Sequence, residues 1–555
     1  MNRKIIWSTL CLGIAVFTGT TVWSQQAPSV KESTGLGKAH FGLRQLHEEY
    51  QAYLAQPGSK APSFKSSNSF IRQVDGHVAV DIVAADPNSL IGQLQTLGMK
   101  NIAVYKNMAS GLLPLEEIAN IVAINEVRSV RPVLAKTNVG SVTSQGDPAM
   151  MSDDARAQWN IDGTGITVGT LSDSYNDLGG ASADVASNDL PSGVTVLADL
   201  GGGGTDEGRA MMQLIHDVAP GVDQAFHTAF LGQADFALGI EELAGCPPGS
   251  AVGCTPVAGV AADVIVDDII YFAEPMFQDG IIAQAVDHVK ANGVAYFSAA
   301  GNSARQSFES FGFAPSGVLD PIFGTELHAF DGASDAFQSV TIPVGGAALM
   351  VLQWDQPFFS VSGAPGSTND LDLFLFDSTG STALTGSVIS NVGGDPVEIF
   401  QFINDGSFGT EQFNIGISLF SGPAPGILKY VYFGDIIINE YDTQSSTIYG
   451  HANALGAEAV GAAFYLDTPD FGVSPPILEP FSSVGYTDIR FDTAGNAVYS
   501  ARDKPDIVAP DGADTTFFLL VSTLSLTVFP ISSAPQPLHP MPPGLLPCCW
   551  NVTAR

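Results

Sequence analysis

The sequence predicts an α/β protein: a doubly wound, mostly parallel sheet, preceded by an α+β unit of ferredoxin type and interrupted by an inserted β-sandwich. Three patterns predict it. Short apolar runs alternate with helical stretches from Gly165 to Asn302, the grammar of parallel strands joined by crossover helices. Residues 77–133 hold strand, helix, strand, helix and strand in succession. Residues 306–446 are rich in Phe and Gly with frequent strands and little helix, and the α/β rhythm returns after 447.

The 555 residues suffice for several domains. Lys+Arg total 22 against 57 Asp+Glu, a formal net charge of −35. Binding to nucleic acid or to an anionic membrane needs basic residues to meet phosphate, so this balance argues against both. A charged fraction of 14% and a hydrophobic fraction of 45% argue against disorder.

Arg3 and Lys4 precede an apolar run over residues 5–17, followed by small and polar residues to Ser24. That is the order of a secretory signal peptide over residues 1–24, with cleavage expected near Ser24–Gln25. Its core is too short to span a bilayer, so export is expected, to the outside or the periplasm. Residues 25–70 read as a linker or helical lead-in.

In the α+β unit, placed at 71–135, Val78, Val80 and Ile82 alternate as in a strand, and Asp86-Pro87 opens a helix with Leu90, Leu94 and Leu97. Ile102 and Val104 mark a second strand, residues 115–121 a second helix and residues 128–132 a closing strand.

The sheet domain takes residues 150–305 and 447–518. Residues 166–171 are a strand ending in Ser172-Asp173, and the Gly-rich loop 201–204 leads into a helix over 206–218. Residues 224–229 and 263–266 are strands, 279–291 a helix, and 293–300 a strand ending in Gly301-Asn302. Functional side chains of such sheets gather at the carboxyl ends of strands, which singles out Asp173 and Asn302. The insert at 306–446 carries strands at 348–354, 371–377, 400–404 and 428–433. The strand at 371–377 alternates Leu and Phe with Asp372 and Asp377.

Of five cysteines, Cys11 belongs to the signal peptide and Cys548 and Cys549 to a Pro-rich tail. Cys246 and Cys254 are left to form a local disulfide in an exported protein. No neighbouring Cys or His pair completes a zinc site.

Glu207 lies four residues before Met211 on a stripe with Leu214, Ile215 and Val218. That spacing aims it at the interior or a cleft. An acid favoured in the first turn by the helix dipole explains it equally well.

These segments resemble a known family. Ile166-Thr167-Val168-Gly169-Thr170-Leu171-Ser172-Asp173-Ser174 is similar to the strand carrying the catalytic Asp of subtilisin-like serine peptidases. Ser298-Ala299-Ala300-Gly301-Asn302 resembles their oxyanion-hole segment, and Lys504-Pro505-Asp506-Ile507-Val508-Ala509-Pro510 the stretch before their nucleophile. The segment from His451 to Ala462 resembles the strand between those two. The resemblance covers residues 150–305 and 447–518. It implies a serine-type endopeptidase made as a proenzyme, with the α+β unit as propeptide and inhibitor, cut away between about Val133 and Ala155. The insert is similar to β-sandwich modules of bacterial secreted peptidases.

The base departs from subtilisins, which have His-Gly-Thr where this chain has Glu207-Gly208-Arg209. Glutamate there resembles the sedolisins, the serine-carboxyl peptidases. Sedolisins place an Asp four residues on, where this chain has Met211, and an Asp where it has Asn302. The implied site is a hybrid of Asp173, Glu207 and Asn302, the last as oxyanion donor. His216 is nine residues along the helix, about 13 Å of rise, so a structural or surface role is expected. A Glu base cycles best in acid unless burial raises its pKa, since an unperturbed Glu titrates near ~4.3. Asp173 beside it would make a pair sharing a proton.

Asp263-Val264-Ile265-Val266-Asp267-Asp268 resembles the strand that pairs with extended substrate. Asp267 or Asp268 facing substrate would favour basic side chains; a solvated strand-end acid is the favoured alternative. The implied partners are polypeptide substrates and the chain's own propeptide. The implied reaction requires no cofactor. Calcium (Ca2+) is common in the family and acidic loops are plentiful, yet no ligand set such as an EF-hand loop is visible.

The family continues after this point to Gly-Thr-Ser-Ala-Ala-Ala-Pro-His, the start of the nucleophile helix, and that motif does not occur here. Residues 519–555 form an aberrant Pro-rich tail that cannot make the helix. Taking the last base of each codon with the first two of the next, allowed codons for Ser533 to Met541 spell Gly-Thr-Ser-Ala-Ala-Ala-Pro-His. Continuing through Asn551 gives Ala-Ala-Gly-Val-Ala-Ala-Leu-Leu-Leu-Glu, and the Met541–Pro542 and Trp550–Asn551 junctions leave no choice of first base. The expectation is a slipped reading frame near Phe518–Leu520, leaving this chain without its serine and inactive. The second functional class is an exported, non-catalytic binding or adhesion protein on a peptidase-like frame.

Overall fold

The computed structural model describes residues 36–56, 64–66, 71, 73–133, 135–136, 145–513 and 515–516. The expected signal peptide, Cys11, and the tail with Cys548 and Cys549 lie outside the described residues.

Within the stretch read as linker or helical lead-in, Phe41–Leu54 is a helix. Leu43, Leu46 and Tyr50 recur at i, i+3 and i+7 and are buried against the sheet that follows. That sheet is antiparallel, with neighbours in the order Gln73–Val74, His77–Ala84, Met108–Pro114 and Lys100–Tyr105, while Val127–Pro132 also pairs with His77–Ala84. Met108–Pro114 is a strand that the sequence pattern did not reveal, because Ala109-Ser110-Gly111 interrupts its alternation. Gly111 has φ +156°, and a Cβ there would stand 2.6 Å from the Lys100 carbonyl oxygen.

The central sheet has seven strands, all parallel: Ile507–Asp511, Ala457–Phe464, Ala295–Ala299, Val264–Asp267, Thr167–Ser172, Asp223–Thr228 and Thr195–Ala198. Helix Glu207–Val218 covers one face, where Met211 and Ile215 meet Val168, Val264, Val266 and Phe297. Helices Gln233–Leu243 and Ile281–Ala291 cover the other, where Phe236, Ile240, Ile282 and Val286 meet Leu171, Ile265 and Tyr296. Burial on both faces explains why these strands read as continuous apolar runs.

Between the adjacent strands Ala295–Ala299 and Ala457–Phe464 the chain leaves to build two antiparallel sheets. Trp354, Leu373, Phe400 and Tyr430 pack between them. The opposite side of one sheet, through Leu349, Val351 and Ile399, lies on Phe272, Met276 and Phe277 of the α/β domain. Strand Ala347–Trp354 is therefore buried on both sides, which is why it is apolar on both. The N-terminal unit touches both other parts. Arg131 pairs with Asp395 at 3.2 Å, Tyr105 donates to Glu241 at 3.2 Å, and Ser110 Oγ accepts from the Ala234 amide at 3.0 Å. Among the described residues no helix is long and apolar enough to cross a membrane.

Candidate active site

Asp173 follows the carboxyl end of strand Thr167–Ser172 and is 2% exposed. Its Oδ1 accepts from the Ser174 amide and, at 3.0 Å, from the Glu207 amide. Its Oδ2 accepts from the Thr205 amide and, at 2.7 Å, from Thr205 Oγ1. Burial raises the Asp173 pKa; the donors from Thr205, Ser174 and Glu207 oppose it, and the net direction is up.

Glu207 opens helix Glu207–Val218 and is fully buried. Of the two positions its spacing allowed, the interior one is observed. Met211, one turn on, is in the apolar core, so no second acid stands on that face. Gly208 lets the helix lie close to the sheet, since a Cβ there would be 2.3 Å from the Phe226 ring.

Sequence reasoning missed what fixes this corner. Asp206, at φ +59°, precedes the helix and is fully buried. It accepts from Ser174 Oγ at 3.0 Å and from the Asp177 amide at 2.6 Å. Its other oxygen pairs at 2.8 Å with Arg209, which is itself 2% exposed, bonded to Asp184 and donating at 3.1 Å to the Tyr175 carbonyl. The available signal was an Asp-Glu-Gly-Arg run at a helix start: an acid and a base three apart, on adjacent turns.

Asn302 lies in the turn after strand Ala295–Ala299 and is half-buried. The turn is pinned by Ala300 N to Val460 O at 2.9 Å, Ser483 N to Gly301 O at 3.0 Å, and Ser303 N to Ser483 Oγ at 3.0 Å. Leu171, Asp267 and Ser298 are level across three neighbouring strands. Asp173 and Asn302 follow the ends of the outer two, strands that lie two spacings, about 10 Å, apart.

Asp267 and Asp268 end the middle strand and are buried, which overturns the solvated reading of these acids. Neighbouring strand ends cover them. Ser172 Oγ donates to Asp268 at 3.1 Å, and Ser298 Oγ to Asp267 at 3.0 Å. Burial first, and then the charges of Asp173 and Asp267, push the Asp268 pKa well above the usual carboxylate range. Asp267 also meets His451 Nε2 at 3.0 Å, and His451 Nδ1 meets Glu274 at 2.7 Å. Burial acts to discharge this ring, but Glu274 and Asp267 outweigh it and hold its pKa up at about 10. His216 is buried, which removes the surface role considered for it, and burial lowers its pKa. Cys246 and Cys254 are disulfide-bonded, with Cα atoms 5.9 Å apart.

No protein-family model matches the chain, and no curated protein matches it. Solved structures that resemble it are proteases. The CspB protease of Clostridium perfringens aligns with a TM-score of 0.38 at 12% identity, over 66% of this chain and 79% of that one. Fervidolysin from Fervidobacterium pennivorans, a keratinolytic enzyme related to subtilisin, aligns with a TM-score of 0.24 at 14% identity, over 51% of each chain. A protease of Pseudoalteromonas arctica gives 0.19 at 16% identity, over 29% of this chain and 55% of that one. The chain thus spans about half the length of the last two.

Proposed function

We propose that this chain is the scaffold of a secreted serine-type endopeptidase of subtilisin and sedolisin kind, made as a proenzyme, whose gene has lost the nucleophile through a slipped reading frame. The observation that carries the reading is the corner where the Glu207 amide meets the Asp173 carboxylate at the carboxyl edge of a parallel sheet, with Asn302 two strands away. In the frame-restored chain a serine hydroxyl attacks the peptide carbonyl. Glu207 takes its proton and returns it to the leaving amine. Asp173 orients Glu207, and Asn302 donates to the oxyanion, worth ~3–4 kcal/mol of barrier. Acyl transfer of this kind draws on no cofactor. A carboxyl base titrates below a histidine, which favours acid working conditions.

The N-terminal unit is the propeptide in this reading, supported by its contacts through Tyr105 and Ser110 with helix Gln233–Leu243. Its removal releases the mature enzyme outside the cell.

Two steps test the reading. Sequencing the gene across the codons of residues 516–551 should spell Gly-Thr-Ser in the neighbouring frame. The frame-restored chain should lose its N-terminal unit and hydrolyse a denatured protein at acid pH, while the chain as written does neither. A restored chain that hydrolyses nothing points instead to an exported binding protein on this frame.

A further inference from the structure

We propose that the inserted sandwich holds one calcium ion between Asp370, Asp372 and Glu398. Asp370 and Asp372 lie on strand Asp370–Phe376 and Glu398 on strand Val397–Ile403, and all three are buried. One carboxylate oxygen from each lies within 4.8 Å of the others. Calcium binds oxygen at roughly 2.3–2.6 Å, so oxygens on one ion stand at most about 5 Å apart, and this spacing fits. Three carboxylates so close and so buried are stabilised by positive charge among them.

A second observation points to a ligand. Asn391 is 2% exposed, and its Oδ1 is buried without a hydrogen-bond partner. Its amide N donates to Asp370 Oδ1 at 3.3 Å, and its Nδ2 donates to the carbonyls of Asp395 at 3.0 Å and Val397 at 3.2 Å. Asn391 therefore ties Asp370, through its backbone N–H, to the residue before Glu398, through its side-chain Nδ2, and its Oδ1 is left unused. Ile389 N binds Glu398 Oε1 at 3.1 Å, so the same segment holds both acids. Three carboxylates, with the unpaired amide oxygen of a residue bonded to one of them, offer a donor set made wholly of hard oxygen. No His or Cys belongs to the cluster. That chemistry selects calcium over zinc or copper, and a cage of protein oxygens suits calcium better than magnesium, which keeps its waters.

The segment from Ile389 to Glu398 also carries Asp395, the partner of Arg131 in the N-terminal unit. A bound ion stiffens that segment and so tightens the attachment of the unit. The competing source of positive charge is Arg44 of the N-terminal helix, whose guanidinium is largely buried and feels the Glu398 charge.

The test uses the full chain, stripped with a chelator and titrated with calcium chloride by calorimetry and thermal melting. The parent should bind with a melting temperature raised by several degrees. Asp372→Asn should weaken that binding tenfold or more, and Asn391→Ala, a milder change, by a few-fold. Arg44→Ala should leave calcium binding in place. Absence of binding by the parent overturns the proposal, as does equal binding by the Asp372→Asn and Asn391→Ala chains, which would place calcium elsewhere. Binding lost in Arg44→Ala but kept in Asn391→Ala also overturns it.

Discussion

The backbone amide of Glu207 donates a 3.0 Å hydrogen bond to Asp173 Oδ1, so the helix bearing one acid begins on the carboxylate of the other. The orphan N–H groups of a helix start favour negative charge, and Asp173 takes that place. The bond fixes where Glu207 starts without consuming its side chain.

Glu207→Gln in the frame-restored chain should reduce peptide hydrolysis by roughly 10²–10⁴-fold, the usual worth of a general base, while leaving the circular dichroism spectrum unchanged. Hydrolysis at the parental rate would remove Glu207 from the mechanism.

Thr205→Val removes the 2.7 Å hydroxyl bond to Asp173 and keeps the backbone amide. That bond lowers the Asp173 pKa, so its loss raises it. The acid limb of the pH–rate profile in the frame-restored chain should move up by about one to two units, the size of a charge-assisted bond of about 1.5–3 kcal/mol. A profile that does not move would show that Asp173 does not titrate in the working range.

His451 ties its own segment to the distant one that carries Asp267 and Glu274, and its folded pKa of about 10 exceeds the ordinary 6.5. Its charged form therefore stabilises the fold fully below about pH 6.5, and that contribution is lost as the pH rises through 10. His451→Gln leaves Glu274 and Asp267 without their cation and should cost about 3–5 kcal/mol at pH 6. In melts at pH 6, 8 and 10, the gap between parent and variant should narrow steadily. A gap independent of pH would mean that the ring is neutral.

Asp511 is buried, and burial pushes its pKa up to about 7 against the opposing backbone hydrogen bond from Gly512. The folded state thus holds a proton that the unfolded state releases near 3.8, so stability is lost as the pH rises from about 4 to 7. Asp511→Asn should stabilise the chain by up to about 4 kcal/mol at pH 8 and by little at pH 4. Equal effects at both values would contradict the assignment.

The parallel sheet was legible because Val264-Ile265-Val266 and its neighbours are buried on both faces and must be apolar throughout. Asp173 and Asn302 were legible as strand ends. Glu207 was only half legible, because a buried first-turn acid and a solvated one share the same spacing. The surroundings were not legible. Asp173 is held by backbone amides, which carry no side-chain signature, and by Thr205, 32 residues away. Asp267 and His451 are 184 residues apart and Glu274 and His451 177, so only the closed sheet brings them together. The acids of the middle strand were misread as solvated because sequence shows a strand end but not what covers it.

The most direct test of the account is covalent labelling by a serine-directed fluorophosphonate at pH 4 and pH 7, applied to the chain as written and to the frame-restored chain. The account predicts label on the restored chain, stronger at pH 4, and none on the chain as written. Label on the chain as written, or none on a folded restored chain at either pH, would contradict it.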